Sequence, residues 1–405
     1  MTLSRKHLPQ EKEDIWSKQN AAWRDPAQIT AQWMGADSIS DEMLSYRVTG
    51  HWWDILDATG STLLVTREYE HLVLAMTVFQ DRPLISYLPL PHPSGLAVDV
   101  ARNTLHIAST RNPNMVFDFS PAAAPMHRLD IHQKKDGEGS HSRLLIPRRA
   151  RYYPGCFYIH DLAFIGNELH ANSVGQNAVV RLGEDGNYER VWWPRCIEKQ
   201  GKPVFEINHL QLNSIAAGNT LSTSFFSAST DKLSSRRPGH KNFPVDRRGV
   251  LFSGATREPI TFGLTRPHSA RLYNEKIFVD NSGYGELSAV EDGKVTTAAR
   301  LPGWTRGLAF RDEIAFVGTS RVIPRFRQYA PGVDMAKSMC GIHAVNLKTG
   351  TILGSIIWPY GNQIFAIELA PREMTMGFPS QMRGKRNLKK ESSIYYAFSL
   401  NSKKW

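Results

Sequence analysis

The feature that most constrains the fold of this chain is a recurring pair of short strand-like segments joined by a tight polar turn. The clearest copy joins residues 158–164 to residues 167–173. Six such pairs can be superposed, and they occupy residues 54–66, 94–109, 158–173, 208–224, 268–281 and 306–319. Self-similarity with a period of a few tens of residues is typical of repeat architectures, in which each unit buries its apolar face against the next.

Two further strand-like runs follow each pair, with hairpin chemistry between them. The turns at residues 183–186 and 291–293 are rich in Gly, Asp and Glu, as tight hairpins require. Four antiparallel strands repeated about six times predict an all-β fold, a six-bladed β-propeller. A seven-bladed propeller is the alternative, because residues 362–369 and 393–400 are also strand-like and a seventh blade could use residues 44–48.

Composition sets the remaining boundaries. We expect a short helical N-terminal leader over residues 1–45, the propeller over residues 46–370, and a basic C-terminal extension over residues 371–405 that packs on or closes the last blade. No apolar run approaches the roughly 18 residues of a membrane span. The N-terminus has no signal-peptide pattern, and the three cysteines are far apart, so we expect a reduced cytoplasmic protein.

The net charge of +11 is concentrated in a few segments rather than in the repeats. Three basic insertions, residues 132–155, 226–248 and 320–338, carry it together with the C-terminal extension. In a propeller blade, the start of the first strand and the end of the second lie on one face. We expect the three insertions to emerge there and to form a cationic rim that attracts anions.

Histidines and carboxylates collect on the same predicted face, where they indicate acid–base or metal chemistry. His160, His209 and His268 occupy similar positions in three consecutive repeats, and Asp161 and Asp280 lie beside them. Three imidazoles would favour zinc, iron or manganese over calcium as a bound divalent metal. Without a metal, the histidines would act as general acids or bases, oriented by the two aspartates.

Further polar residues of this face are predicted to bind the substrate. Arg306 and the paired loop arginines have the fork geometry that suits carboxylate, sulfate or phosphate. The predicted substrate-binding set is Arg306, Asn172, Asn208, Asn281, Arg148, Arg149, Arg236, Arg237 and Arg325.

Several of these motifs resemble those of known propellers. The segments that carry the resemblance are residues 160–163, 208–210, 266–269, 280–286 and 306–308. They resemble six-bladed propellers of the gluconolactonase, regucalcin and strictosidine-synthase type and NHL-repeat propellers. They are more closely similar to an uncharacterised bacterial propeller family described as a domain of unknown function. The resemblance spans about residues 45–370 and implies the fold, with no agreed activity. Gluconolactonase-type propellers hold a divalent metal with Glu, Asn and Asp, whereas this sequence has histidines at several of those places.

These observations lead to two hypotheses about function. The first is an enzyme, a hydrolase, lyase or epimerase, that acts on an anionic small molecule, a sugar or a peptide side chain at the channel mouth. The second is a non-catalytic module that binds an acidic protein or a glycan. Nucleic acid is disfavoured, because the positive charge encircles a channel mouth and no nucleic-acid motif is present. The sequence gives no indication of the oligomeric state.

Overall fold

Six antiparallel sheets make up the part of the chain that the computed structural model describes. The described residues are 39–110, 114–122, 143–206, 208–233 and 242–381, with Ala27, residues 33–36, 124–125, Pro238 and residues 398–399. Each inner strand packs beside the inner strands of two other blades, and the series closes into a ring. The predicted six-bladed β-propeller is therefore confirmed, and the seven-bladed alternative is wrong.

Every blade contains four strands in the same order, from the channel outwards. The inner strands of blades 1 to 6 are Ala366–Pro371, Pro93–Asp99, Ile159–Ile165, Leu212–Ala216, Pro267–Tyr273 and Trp304–Arg311. The second strands are Ser61–Arg67, Thr104–Ser109, Glu168–Ser173, Phe225–Ala228, Lys276–Asn281 and Ile314–Ser320. The third strands are Leu72–Phe79, Asn114–Pro121, Ala178–Leu182, Gly249–Ser253, Glu286–Glu291 and Gly341–Asn346. The outer strands are Arg82–Pro89, Leu145–Tyr153, Tyr188–Trp192, Pro259–Leu264, Lys294–Arg300 and Ile352–Ile357.

Short elements complete the described chain. Blade 1 gains a fifth strand from Ser380–Gln381, and blade 6 gains one from Arg47–Gly50. Small separate pairs join Glu198–Lys199 to Lys202–Pro203 and Ala124–Pro125 to Phe398–Ser399. The α-helices are Asp41–Leu44 and Trp52–Ala58. Short 3-10 helices are Glu68–Glu70, Val174–Gln176, Arg195–Ile197, Leu221–Thr223, Ser282–Tyr284 and Pro324–Tyr329. None of the helices in the described residues has the length and apolar character needed to cross a bilayer.

Blade 1 closes the ring with a strand from late in the sequence. Residues 366–371 form its inner strand and pair with Ser61–Arg67, with Thr62 opposite Ala370. The strand predicted over residues 54–56 is wrong, because these residues lie in the helix Trp52–Ala58. Trp52 and Leu56 lie one helical turn apart and are both fully buried, so helical spacing suits this segment.

Blade 4 also departs from the predicted register. Its first two strands begin at Leu212 and Phe225, four and six residues later than predicted. The segment around Thr220 instead forms a 3-10 turn, in which the side chains of Thr220 and Thr223 cap each other's backbone N–H. As a result, Asn208 and His209 precede the inner strand.

A β-bulge interrupts the inner strand in five of the six blades, near the end where the strand begins. The strand register shifts between Pro93 and Leu96, Ile159 and Leu162, Leu212 and Ser214, His268 and Arg271, and Thr305 and Leu308. A bulge breaks the strict alternation of side chains and re-aims the residues within it. These bulges contain His160, Asp161, Ser269 and Arg306, so the polar residues of the channel mouth lie where alternation fails.

Two of the three basic insertions emerge as predicted. The segments between Ala228 and Gly249 and between Ser320 and Gly341 connect second to third strands at the mouth. The placement of residues 132–155 is wrong, because Leu145–Tyr153 is the outer strand of blade 2 and pairs with Asn114–Pro121. The outer strand therefore begins at Leu145 on the face opposite the mouth, and residues 132–142 of the predicted insertion lie outside the described residues.

Candidate functional site

Two of the three predicted histidines meet at the channel mouth. The rings of His160 and His268 lie 5.7 Å apart, centroid to centroid. The ring of Phe365, next to the inner strand of blade 1, meets His160 edge-on at 5.3 Å and His268 at 5.4 Å. The inner-strand bulge of blade 3 and the start of the inner strand of blade 5 deliver the two imidazoles, so blades 1, 3 and 5 converge on one point.

Arg306 joins this group and fixes the protonation of His268. Its Nη2 lies 2.7 Å from Nε2 of His268. A guanidinium can only donate, so Nε2 accepts and Nδ1 must carry the proton of the neutral ring. Nδ1 then donates to Oγ of Ser269 at 3.0 Å, and the same oxygen accepts from the backbone N–H of Gly307 at 2.8 Å. A defined tautomer of His268 follows from these contacts.

Glu68 is a residue of the mouth that sequence reasoning missed. With the amide of Gln363 oriented to satisfy both neighbours, its oxygen accepts from Nη1 of Arg306 at 2.7 Å and its nitrogen donates to Oε2 of Glu68 at 3.2 Å. Oε1 of Glu68 accepts from Oγ1 of Thr110 at 2.9 Å. Glu68 begins a 3-10 turn that recurs in blades 3 and 5, where Val174 and Ser282 take its place. Glu68 could have been found from the sequence, because it is acidic at a turn position where the other two blades have a neutral residue.

A second buried arginine, Arg266, lies just before the inner strand of blade 5. Its Nη1 donates to Oε1 of Gln211 at 2.5 Å and to the backbone oxygen of Pro238 at 3.1 Å. Its guanidinium lies 4.2 Å from the ring centroid of Tyr329. Burial is the largest cause that lowers the pKa of Arg266, to about 10, so the side chain stays cationic at neutral pH.

Aromatic rings lie against both arginines, and those over Arg306 come from the start of the inner strand of blade 6 and from the residue before the inner strand of blade 1. Arg306 lies over Phe365 at 4.1 Å and over Trp304 at 5.1 Å. Trp304 and Tyr329 belong to an apolar cluster that includes Phe243 and Val245 from one insertion and Val322 and Ala330 from the other. Guanidinium groups stack well on aromatic faces, which stabilises a cation that water cannot reach.

Both mouth histidines are neutral at ordinary pH. Burial, and then the positive charge of Arg306, lowers the pKa of His160 to about 3. The same two causes hold the pKa of His268 well below its usual range. Nδ1 of His160 and Nε of Arg306 are buried and have no hydrogen-bond partner in the described structure. The mouth therefore contains an imidazole nitrogen and a guanidinium nitrogen whose hydrogen-bonding capacity no described group satisfies.

The two predicted aspartates lie away from this nitrogen pair. Asp161 receives two hydrogen bonds from Arg271, at 2.9 and 3.2 Å, and one from the backbone N–H of Ile215 at 3.0 Å. Asp280 is fully buried, and neither of its oxygens lies at ordinary hydrogen-bond distance from a described donor, although the Ser269 hydroxyl is close enough to lower its pKa. Burial raises the pKa of Asp280 well above its usual range.

The predicted asparagines hold backbone rather than face the mouth. Oδ1 of Asn172 accepts from the backbone N–H groups of His160 at 3.2 Å and Asp161 at 2.5 Å, within the bulge of blade 3. Asn281 accepts from the backbone N–H of Thr265 at 2.7 Å, and Asn208 from that of Gln211 at 2.8 Å. These asparagines therefore act on the mouth indirectly, by holding the backbone segments that carry its residues.

The other predicted residues are dispersed. His209 lies ahead of the inner strand of blade 4, and within the described residues it makes no ring contact with His160 or His268. Arg148 and Arg149 lie on the outer strand of blade 2. Arg236 and Arg237 lie outside the described residues, as does the side chain of Arg325.

A metal site with three histidines is not assembled by these positions. In the part of the chain that the structure describes, no group of three or more His, Cys, Asp or Glu side chains is placed to hold a metal ion. The displacement of His209 in blade 4 accounts for the difference from the prediction. The described residues thus do not bring the three predicted ligands together, and the metal stays a prediction. The groups that meet at the mouth are Arg306, Arg266, the neutral imidazoles of His160 and His268, and Glu68.

Comparison with known proteins agrees with the architecture. The model of the family "Domain of unknown function (DUF4915)" matches residues 50–376. The chain belongs to this family. This DUF4915 match includes all six blades, and the resemblance seen in the sequence motifs is confirmed. No curated protein matches the sequence.

Solved structures show distant likenesses to this DUF4915 propeller. A nidogen/laminin complex matches with a TM-score of 0.48 and 8% identity over 76% of this chain and 98% of that chain. A protein of unknown function from Bacteroides caccae matches with a TM-score of 0.46 and 9% identity over 76% and 98%. A gluconolactonase from Xanthomonas campestris matches with a TM-score of 0.43 and 14% identity over 74% and 86%. At these values the likenesses carry no argument about function.

Proposed function

We propose that the channel mouth binds an anionic small molecule and that the protein is an enzyme, a hydrolase, lyase or epimerase, that moves a proton on this substrate. The observation that carries the proposal is the hydrogen bond from Arg306 to His268 beside the unpartnered Nδ1 of His160. It combines a buried cation with an imidazole nitrogen that has no partner within the described protein.

The buried arginines support an anionic ligand. Arg266 and Arg306 are 7% and 6% exposed, and taking a cation out of water costs several kcal/mol unless it is paired. The hydrogen bonds of Arg266 go to neutral oxygens, and Arg306 is linked to Glu68 through Gln363. A bound carboxylate, sulfate or phosphate would offset this cost and would use the free Nε of Arg306.

Such an anion would also activate the histidines. A general base works best when its pKa lies near the operating pH, and a pKa of about 3 is too low for His160. Because Arg306 contributes to this low value, a negative charge placed against Arg306 would raise the pKa of His160 and His268 towards neutrality. The substrate itself would turn His160 into a working base, and the His268 tautomer would stay fixed by Arg306 and Ser269.

The alternative of a non-catalytic module for an acidic protein or a glycan receives less support from the geometry. The two arginines are buried beneath aromatic side chains, and a protein surface reaches exposed charges more readily than buried ones. A small molecule suits this site better.

The proposal is tested by calorimetric titration of a panel of carboxylates, sulfates and phosphates into the wild type and two variants. Arg306→Gln keeps a hydrogen-bond donor but removes the charge, and it should abolish binding. Arg311→Gln is the matched control, since Arg311 is an exposed residue at the opposite end of the same inner strand. Equal binding to Arg306→Gln and wild type would refute the anion site.

Catalysis needs a separate readout. Each bound anion is incubated with the wild type and with His160→Asn, and products are followed by proton NMR in deuterated water, which also reveals exchange of carbon-bound protons. Turnover or exchange that is lost in His160→Asn while binding is kept would support the enzyme. Binding without any chemical change in the wild type would favour the non-catalytic module.

A further inference from the structure

A cleft of about 750 Å³ lies between blades 2 and 3, away from the channel mouth. The turns that line it are residues 99–104 of blade 2 and residues 167–168 and 182–188 of blade 3. These turns end first strands or join third to outer strands, so the cleft opens on the face opposite the mouth. Its volume is within the range of small-molecule sites.

Arg148 reaches this cleft because of a β-bulge. In the outer strand of blade 2, Arg149 lies opposite Asp118 and Pro147 lies opposite Phe119, which leaves Arg148 as an extra residue. Strict alternation would put Arg148 on the other side of the sheet from Arg149 and Arg151. All three line the cleft, as expected when a bulge re-aims a side chain.

Arg148 is also the unpaired cation of the cleft. The other lining arginines form ion pairs with lining carboxylates: Arg102 with Asp99, Arg149 with Asp118 and Glu184, Arg151 with Asp118, and Arg181 with Glu168 and Glu189. Within the described residues Arg148 has no ion pair and no hydrogen bond, and it is exposed. Its guanidinium is free to bind an anion.

His106 supplies an imidazole ring to the same cleft. Its Nδ1 lies 2.6 Å from Oδ1 of Asp118. Burial alone would raise the pKa of Asp118, but His106, Arg149 and Arg151 together hold it well below its usual range. The ionised carboxylate therefore holds the Nδ1 side of the imidazole, and Nε2 is the other ring nitrogen. Nε2 forms no hydrogen bond with any described residue.

A buried and unsatisfied group gives an independent indication of a ligand. Arg151 is 6% exposed and lines the cleft, and its Nε has no hydrogen-bond partner in the described structure. Phe164 adds an apolar wall, with its ring 5.7 Å from that of His106. Leu169 and Leu182 extend this wall.

We propose that this cleft is a second ligand site, and that it binds a hydroxylated anion of monosaccharide size. The anionic group binds the fork of Arg148, a hydroxyl group forms a hydrogen bond with Nε2 of His106, and the apolar face of the sugar ring packs on Phe164. A sugar acid and a sugar phosphate share this chemistry. The site is separate from the channel mouth and does not depend on the activity proposed there.

The test is calorimetric titration of the full chain with D-glucuronate and with D-glucose 6-phosphate, with D-glucose as the neutral comparison. At least one of the two anions should bind, and glucose should bind at least tenfold more weakly, because a charge-assisted contact is lost. Arg148→Gln should weaken binding of that anion by about tenfold or more. His106→Gln is the second variant. The melting temperatures of both variants are measured as a control, to check that each variant is folded.

Two further variants separate this site from the channel mouth. Arg306→Gln and Arg311→Gln should bind the sugar anion as the wild type does. Binding that is unchanged in both Arg148→Gln and His106→Gln, or that is lost in Arg306→Gln, would overturn the proposal, as would no binding of either anion to the wild type. The affinities of D-glucuronate and D-glucose 6-phosphate also show whether the site prefers a carboxylate or a phosphate.

Discussion

Nε2 of His268 accepts a hydrogen bond of 2.7 Å from the guanidinium of Arg306. This contact places a permanent positive charge against an imidazole that burial already keeps neutral. The same charge acts on His160, whose ring lies 5.7 Å from that of His268. After burial, the charge of Arg306 therefore exerts the second-largest control on the pKa of both rings.

The first prediction concerns this control. Replacing Arg306 with Gln removes the charge and keeps a donor, so the pKa of His160 should rise above about 3 and that of His268 should rise with it. Both should remain below the ordinary histidine value near 6.5, because burial persists. Carbon-13 NMR of labelled histidine rings across a pH series measures this. The Arg311→Gln variant should leave both values unchanged, and no shift in Arg306→Gln would contradict the argument.

A second prediction concerns the ion pair of Asp161 and Arg271, which joins blades 3 and 5. Arg271→Met leaves Asp161, 2% exposed, without its partner, and should lower the free energy of unfolding by about 3–5 kcal/mol. Urea denaturation measures the loss. The double variant Asp161→Asn with Arg271→Met should recover part of it, because the buried charge of Asp161 is then no longer left without its partner. If Arg271→Met left the free energy of unfolding almost unchanged, the ion pair would contribute little to stability.

Asp161 shows why the site was only partly predictable from sequence. His160 and Asp161 are neighbours in a motif, and the sequence predicts that one orients the other. In the structure the bulge between Ile159 and Leu162 sends them to different partners, and that of Asp161 is 110 residues away. Repeat spacing locates the mouth of each blade, but a bulge changes which side chains face it, and spacing alone does not reveal the bulge.

The third prediction is a pH dependence that isolates one histidine. Burial lowers the pKa of His343 to about 4, and its nitrogens bond Thr319 and Ser355. The unfolded chain takes up a proton near pH 6.5 while the folded chain does not, so stability is full above pH 6.5 and falls as the pH drops towards 4. From pH 8 to 5 this one group should cost about 2 kcal/mol.

The measurement compares urea unfolding of the wild type with that of His343→Gln at both pH values. The variant lacks the titrating group, so its stability should fall by about 2 kcal/mol less over this interval. Other groups titrate equally in the two proteins and cancel in the difference. An identical loss in both proteins would show that the folded state accommodates a protonated His343.

The fourth prediction concerns the hydrogen bonds that close the ring. Oγ1 of Thr66 donates to the backbone oxygen of Ser94 at 2.6 Å and accepts from the backbone N–H of Ala366 at 3.0 Å. Thr66→Val preserves the shape but leaves both backbone groups buried and unpaired, at about 1–3 kcal/mol each. Thermal or urea unfolding should show this loss. Thr296→Val, at an exposed site, is the control and should change stability by less than about 0.5 kcal/mol.

The fold was more predictable than the site because it depends on patterns that repeat. Hydrophobic alternation and turn residues predicted six blades, and the structure has six. The errors occur where one blade differs from the pattern. Blade 1 takes its inner strand from residues 366–371, and the turn around Thr220 delays the strands of blade 4. Such exceptions depend on contacts between distant segments, which a single repeat does not encode.

The late origin of the inner strand of blade 1 has a consequence for the newly made protein. Ala366 follows its hydrogen-bond partner Thr66 by 300 residues. At synthesis rates of about 5–20 residues per second, the edge of Ser61–Arg67 waits roughly 15–60 s on the ribosome before its partner strand emerges. Throughout that interval one edge of this strand has no partner, although all seven of its residues are buried in the folded protein. Chaperone supply and translation speed, as well as native stability, should therefore set the yield of folded protein.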